Sequence, residues 1–524
     1  MHEEDKGTDN AIVALSVPRR HVKRVKSALE AQNLFDRTTK IATQHSSDSE
    51  VEPRMTLFTT IPYPLKGSKD GADHESGLQL ETILAELKLE DVQSTITLLP
   101  YNAVSTNDAP TTNPLLKGLK TALEQLPQEL LISLSLSPTL LLSSFPSTYS
   151  LYTPMLLLPP NALASPPWTT LLASHPPTSP LLQSIWKQLA TSVGTTHVAI
   201  NAGIPLQHTT SPSGPNPDTK PSNILRSPTN LTPLYGDFGP QPTPQALAHP
   251  TAEEYNSAFW VSHIQNGIHQ VWAPLYTMFS RGNMREKTRL LNLPTIQPDQ
   301  ASTAVDLYAG IGYFAFPYKR AGTHRILGWE LNPWSIEGFR RGALKNKWTT
   351  QTFSPTALPT TPETWSALPG QVQDVDFLIF QQSNEYALGI IAALHPQGLG
   401  FGSPLASPIS VNIPPIRHVN CGFLPSSKLS WATAVKIVDR EMGGWIHAHE
   451  NVGSNDIDSR KSEIVAEMQR HVNSWEAERG ACGSYQRRVS CEHVEKVKTY
   501  APGVLHVVFD VWVGGMQDAE DLIL

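Results

Sequence analysis

The sequence predicts an α/β protein built on a doubly wound, mostly parallel sheet that closes with an antiparallel C-terminal hairpin. A smaller α+β N-terminal region is expected before it. Three observations carry this reading. From Tyr235 onward, apolar segments with strand character alternate with segments of helical spacing nearly to the end. One apolar segment runs into Gly-x-Gly and then a helix, the arrangement in which open α/β sheets place a ligand. The last two strand candidates are separated by a short Pro-Gly turn, which joins only antiparallel neighbours.

The strand candidates are 304–308, 325–330, 375–380, 418–423 and 445–450, with helices expected at 334–345, 385–394, 431–439 and 461–477. The closing strands are 494–500 and 505–512. Upstream, 253–268 has helical spacing and 270–278 reads as a strand. Segments 348–374 and 396–416 are rich in Pro, Thr and Ser and longer than ordinary connections, so they read as surface insertions in a catalytic domain spanning 301–524. Residues 234–300 read as a substrate-recognition subdomain. Residues 104–233 read as a Pro/Ser/Thr-rich, partly irregular region around a few short helices. Residues 1–103 form the N-terminal region: a short strand at 11–17, then a basic amphipathic helix with Arg19, Arg20, His21, Lys23, Arg24 and Lys26. That run is either a solvated face or a phosphate contact.

Composition narrows the class. The chain has 524 residues, 40% of them apolar and 17% charged, with 45 prolines concentrated in particular stretches, which fits folded domains interrupted by irregular segments. The net charge of −7 argues against a globally basic nucleic-acid binder. Cys421, Cys482 and Cys491 fit neither a zinc site nor a redox pair, and a reducing compartment follows as the default. The polar, acidic start lacks a signal peptide's apolar core, and the apolar stretch 130–145 is broken by Ser133, Ser135, Ser137 and Pro138. A cytoplasmic, monomeric protein without a membrane span is expected.

The site-forming stretch is Asp306-Leu307-Tyr308-Ala309-Gly310-Ile311-Gly312-Tyr313-Phe314. Glycine permits the tight turn and a close approach by a ligand. Glu330 ends the next strand, 18 residues beyond Gly312, where a carboxylate can accept from two ribose hydroxyls. The third strand ends in Gln381-Gln382-Ser383-Asn384, which offers a side-chain amide to an adenine edge. Together these describe a nucleoside-containing cofactor. Nicotinamide enzymes favour a third glycine where Ala315 stands, so S-adenosylmethionine fits better than a dinucleotide, with a plain structural turn as the remaining reading. His447 and His449 share one side of a strand without a third ligand at metal spacing, so they read as packing or substrate-facing groups, and no metal is expected. Glu450 and Asn451 at that strand end are candidates to line the pocket.

The Asp306–Phe314 stretch followed by Trp329-Glu330-Leu331-Asn332-Pro333 resembles the tRNA wybutosine-synthesizing protein 2 family, within the tRNA guanine-N1 methyltransferase superfamily. Val17–Lys26, Leu234–Pro240, Met278–Lys287, Gly422–Ser427 and His447–Val452 match as well. The resemblance implies transfer of the 3-amino-3-carboxypropyl group of S-adenosylmethionine to the tricyclic guanine derivative, 4-demethylwyosine, just 3′ of the anticodon in phenylalanine tRNA. The by-product is 5′-methylthioadenosine. It also implies that Ser280 and Lys287 contact the cofactor, that Glu330 is the ribose-binding acid and that Ser383 and Asn384 sit at the adenine. Family members often carry an acid where Ser383 stands. Asp306, Gly310 and Gly312 complete the cofactor set, and Asp237, Arg281 and Asn283 are the catalytic and substrate-contact candidates, with Asp237 open between loop cap and active-site carboxylate. Two rival functions share these residues: a guanine-N1 methyltransferase on the same scaffold, and a non-catalytic RNA- or protein-binding adaptor. The Asn-Pro-Pro-Tyr/Phe signature of exocyclic-amine methyltransferases is absent.

Overall fold

The computed structural model describes residues 11–32, 34–36, 41–44, 54–62, 84–87, 89–102, 113–201, 231–279, 281–355, 372–394, 413–479 and 487–515. The chain divides into two units, Met1–Thr112 and Asn113–Leu524. The first holds a four-stranded antiparallel sheet of β1 (Ala11–Pro18), β2 (Ala42–Gln44), β3 (Arg54–Pro62) and β4 (Thr97–Asn102), in the order β2-β3-β1-β4. The basic segment forms a helix over Val22–Ala31 after one 3-10 turn. Val25 and Leu29 are buried in it, whereas Arg24 reaches out to Asp91 through two 2.7 Å hydrogen bonds.

The second unit begins with a region that is more ordered than its composition suggests. Residues 113–201 were expected to be partly irregular. They form helices Pro114–Glu124, Gln128–Ser133, Pro138–Ser143, Pro166–Ser174 and Pro180–Ser192, and three strands, β5 (Ser150–Tyr152), β6 (Met155–Leu158) and β7 (His197–Ile200), to which β8 (Thr232–Tyr235) adds a fourth. The prolines that read as breaks sit in the first turn of four of these helices, where a missing N–H costs nothing. Asn113, Ser137 and Ser179 cap three of those starts. Leu115, Leu119, Trp168, Trp186 and Leu189 then fill one core.

Segment 253–268 differs from the expected single helix. A short helix, Ala252–Ser257, is closed by a capping box from Thr251 and Glu254. The chain then turns into a hairpin of β9 (Val261–Gln265) and β10 (Ile268–Trp272). Its turn is Asn266-Gly267, with φ of 52° and 71°, the pair of positive values that a two-residue hairpin turn requires.

Beyond it lies the eight-stranded sheet, in the order β13-β14-β12-β11-β15-β16-β18-β17. The strands are β11 (Thr303–Asp306), β12 (Arg325–Trp329), β13 (Thr350–Phe353), β14 (Phe377–Phe380), β15 (Ile416–Cys421), β16 (Gly444–Gly453), β17 (Val489–Ala501) and β18 (Val504–Val513). The first six are parallel, and β16, β18 and β17 pair antiparallel. β13 lies inside a segment expected to be pure insertion: Thr350–Phe353 extends the sheet edge before the chain leaves the described residues at 356. Strands buried on both faces read as continuous apolar runs, as in Phe377–Phe380, and helices 333–345, 387–394, 431–437 and 457–478 supply the cover. Chain order reverses between β11 and β15, so the crevice at their carboxyl ends is where this architecture receives a ligand.

Candidate functional site

The turn after β11 is shaped by its two glycines. Gly310 has φ of 54° and Gly312 φ of 89°. A Cβ at Gly310 would lie 2.8 Å from the Tyr313 ring, and one at Gly312 would lie 2.7 Å from Phe316. Neither position tolerates a side chain, and the backbone is left bare toward the crevice.

Glu330, directly after β12, closes over this turn. Its Oε2 accepts from the Gly310 amide at 2.8 Å and its Oε1 from the Asn332 amide at 2.8 Å. Burial pushes its pKa up, against the pull of these backbone donors. Each oxygen retains acceptor capacity after its amide contact, enough for the two hydroxyls of a ribose. Asn384 approaches from the far side of β14, where its Nδ2 donates to the Leu307 carbonyl at 2.9 Å. Gly310, Gly312, Glu330 and Asn384 therefore meet around one turn. Ser383 takes a local role: its hydroxyl accepts from the Glu385 amide and caps the turn Asn384–Tyr386.

Asp306 is fully buried, and its Oδ1 accepts from the Tyr308 amide at 3.2 Å and from Asn420 Nδ2 at 3.0 Å. Burial pushes its pKa up to about 6. Tyr308 stacks on Phe423 with ring centroids 5.0 Å apart. The Phe423–Ser427 loop is braced from below by Glu450. Its Oε1 accepts from the Ser427 amide at 2.8 Å and from Ser426 Oγ at 3.0 Å, while Oε2 accepts from Arg460 at 2.8 Å. Glu450 thus holds the loop. Asn451 carries both of its amide atoms buried without a hydrogen bond among the described residues.

Lys287 is buried, and its Nζ donates to Gln265 Oε1 at 2.8 Å and Gln270 Oε1 at 2.9 Å, both on the β9–β10 hairpin. Nζ also lies 5.0 Å from the ring centroids of Phe279 and Tyr313. Burial, and then the nearby Lys498, bring its pKa down to about 7. Tyr313 contacts both this amine and the Gly310 turn. Ser280 lies outside the described residues, as does the side chain of Arg281. Asn283 Oδ1 is buried without a hydrogen bond among the described residues. Asp237 behaves as a loop cap: it is exposed, its Oδ1 accepts from the Gly239 amide at 2.9 Å, and its carbonyl lies 2.9 Å from His197 Nε2.

His447 and His449 take the packing alternative of the two expected. Both are buried, so neither faces tRNA. His447 Nδ1 lies 2.7 Å from Asp510, which also accepts from Arg289. Among the described residues no group of three His, Cys, Asp or Glu is placed to hold a metal ion, and no helix is long and apolar enough to cross a membrane. Asn420 escaped sequence reasoning. Its signal is an amide one residue before the end of a buried inner strand, between Val419 and Cys421.

The family described as the TRM5/TYW2 methyltransferase domain matches residues 262–352. The chain is 35% identical over 366 residues to a tRNA wybutosine-synthesizing protein 2 from Schizosaccharomyces pombe, covering 70% of this chain and 72% of the relative. It is 34% identical over 331 residues to the Saccharomyces cerevisiae protein of the same name, covering 60% and 59%. A solved structure titled as Pyrococcus horikoshii TYW2 in complex with MeSAdo aligns at a TM-score of 0.43 with 18% identity, covering 76% of this chain and 99% of that one.

Proposed function

The chain belongs to the tRNA wybutosine-synthesizing protein 2 family, and from that premise we propose that it transfers the 3-amino-3-carboxypropyl group of S-adenosylmethionine to 4-demethylwyosine, 3′ of the anticodon in phenylalanine tRNA. One observation carries the reading: Glu330 and the Gly310 amide close a turn, held at positive φ by Gly310 and Gly312, beside the switch point of the sheet. That geometry suits a nucleoside whose ribose hydroxyls reach a fixed carboxylate.

The sulfonium of the co-substrate supplies its own leaving group: a C–S bond breaks, a carbon–carbon bond to the base forms, 5′-methylthioadenosine departs and the attacked base carbon loses a proton. The protein's contribution is alignment. Glu330 fixes the ribose, Asn384 stands at the adenine side, and the bare glycine turn admits the sulfur-bearing end. Asp306 offers a buried carboxylate to the amino-acid arm. Lys287 supports the arm's end of the pocket by holding Phe279 and Tyr313 in place against the β9–β10 hairpin. By the family resemblance Ser280 contacts the co-substrate, and Arg281 and Asn283 are the candidate substrate contacts. Ser383 contributes by capping the Asn384 turn, and Asp237 by ordering its own loop.

The test is the sulfur by-product. The protein is incubated with S-adenosylmethionine and tRNA from cells lacking this activity. The proposal expects 5′-methylthioadenosine in a one-to-one ratio with modified tRNA. S-adenosylhomocysteine would overturn it in favour of methyl transfer, and no turnover with intact co-substrate binding would favour an adaptor.

A further inference from the structure

Asp306 is the last member of a buried hydrogen-bonded chain. Asn420 Nδ2 donates to Asp306 Oδ1, Asn420 Oδ1 lies 3.2 Å from His449 Nε2, and His449 Nδ1 lies 3.0 Å from His506 Nε2. All four side chains are buried. The proton positions follow by elimination. An amide that donates through Nδ2 offers only its oxygen to the other neighbour, so His449 Nε2 carries the proton. Burial lowers the pKa of both histidines, so each ring is neutral near pH 7 and holds one proton. His449 Nδ1 is then an acceptor, and His506 Nε2 donates to it. Every donor in the chain points the same way, from β18 through β16 and β15 to the carboxylate after which β11 ends. Asp306 Oδ2 lacks a hydrogen bond among the described residues. Gly422 keeps the path clear, because a Cβ there would lie 2.9 Å from Asn420 Nδ2.

We infer that Asn420 and His449 are positioning residues, which hold Asp306 in one orientation as an ionised acceptor for the α-ammonium of the co-substrate's aminocarboxypropyl arm. The inference rests on the reading of the site given above. A buried carboxylate with one fixed oxygen and one unused oxygen suits a cationic donor brought by the ligand. The arm is also the part whose placement decides which carbon meets the base. Other titratable groups face this carboxylate: Glu330 from the β12 end, Cys421 from β15, and Tyr318 from the helix Ala315–Ala321. His449 is faced by His447, His506, Arg289 and Asp510. None of these side chains donates a hydrogen bond to Asp306, and its other donors are backbone amides, of Tyr308 at 3.2 Å and, more weakly, of Ala315, so Asn420 is the side-chain donor that a substitution can remove.

The full-length protein is titrated calorimetrically with S-adenosylmethionine, without tRNA, from pH 5 to 7.5, and each variant is melted in parallel. Binding requires the carboxylate, so parental affinity falls as pH drops through about 6. Asn420→Leu removes a donor to the charged form and moves that midpoint up by about one pH unit, costing about tenfold in affinity below it. His449→Leu shifts it in the same direction, and His449→Gln, whose amide can still donate to Asn420, returns it toward the parental value. A merely structural role would lower the melting temperature without moving the midpoint. A cooperatively melting Asn420→Leu or His449→Leu with the parental midpoint overturns the proposal, as does His449→Gln matching His449→Leu. If Asn420→Leu does not fold, the His449 pair decides. Absence of binding by the parent at every pH overturns the reading of the site itself, a separate outcome.

Discussion

Residues 113–201 and the eight-stranded sheet both bury large apolar side chains, Trp168 and Trp186 in the first, Trp329, Phe377 and Trp431 in the second. They differ in their polar atoms. In the first region, the Trp168 and Trp186 indoles donate to the carbonyls of Leu141 and Pro177, and the hydroxyls of Ser133, Ser143 and Thr191 donate to carbonyls of their own turns. In the second, Glu330, Asp306 and Asn384 bond to backbone groups near strand ends, and Asp306 also to Asn420, with acceptor capacity left over on the carboxylates. Packing stabilises either region; the first leaves Ser165 Oγ and His175 Nδ1 without a hydrogen bond at separate places among the described residues, whereas in the second Glu330, Asp306 and Asn384 converge on one turn, and that is where recognition belongs.

The sharpest way to break this comparison is to damage the first region and watch the second. Trp186→Ala should destabilise the fold by about 3–5 kcal/mol, read from denaturant unfolding, while the affinity of the remaining folded protein for S-adenosylmethionine stays unchanged. A parallel loss of affinity would mean that the regions are not separable. Glu330→Gln should do the reverse: roughly 2–3 kcal/mol of binding free energy lost in calorimetry, from weakening hydrogen bonds to a charged acceptor, with a smaller change in melting temperature.

Gly312→Ala sharpens the same contrast at the backbone. The strained φ and the Phe316 contact should cost about 1–3 kcal/mol of stability, and affinity should fall as well, since the turn itself receives the ligand. The smallest effect concerns Lys287. Its folded pKa is depressed to about 7 from an unfolded value of 10.5, so the unfolded chain binds more protons between those values. The desolvation cost is full below pH 7 and fades as pH rises. Lys287→Met should therefore compare best with the parent near pH 6 and progressively worse toward pH 9, measured as the difference in melting temperature. A difference independent of pH would mean that Lys287 is charged throughout.

The same contrast explains what was legible. Strand candidates from Ala304 to Trp512 fall on observed strands because buried parallel strands are continuous apolar runs between helices. Gly310, Gly312, Glu330 and Asn384 are readable because each lies in the few residues after an apolar strand, where open α/β sheets place their ligand contacts. Residues 113–201 were misread because Pro at a helix start and Pro in a loop look alike until the cap beside it, Ser137 or Ser179, is weighed. Segment 253–268 has helical spacing, but Asn266-Gly267 within it fixes a hairpin, and the local turn outranks the periodicity. The role of Asp237 and the burial of Lys287 depend on partners far along the chain or on loop geometry, such as Gln265 against Lys287 and Gly239 against Asp237, and no local pattern encodes them.

The central claim is that one glycine turn and one carboxylate grip the nucleoside of S-adenosylmethionine. Crystals grown with S-adenosylmethionine test it most directly. The account predicts both ribose hydroxyls within hydrogen-bond distance of Glu330 and the sulfur-bearing end against Gly310 and Gly312. Nucleoside density in another cavity, with Glu330 touching only the Gly310 and Asn332 amides, would contradict it.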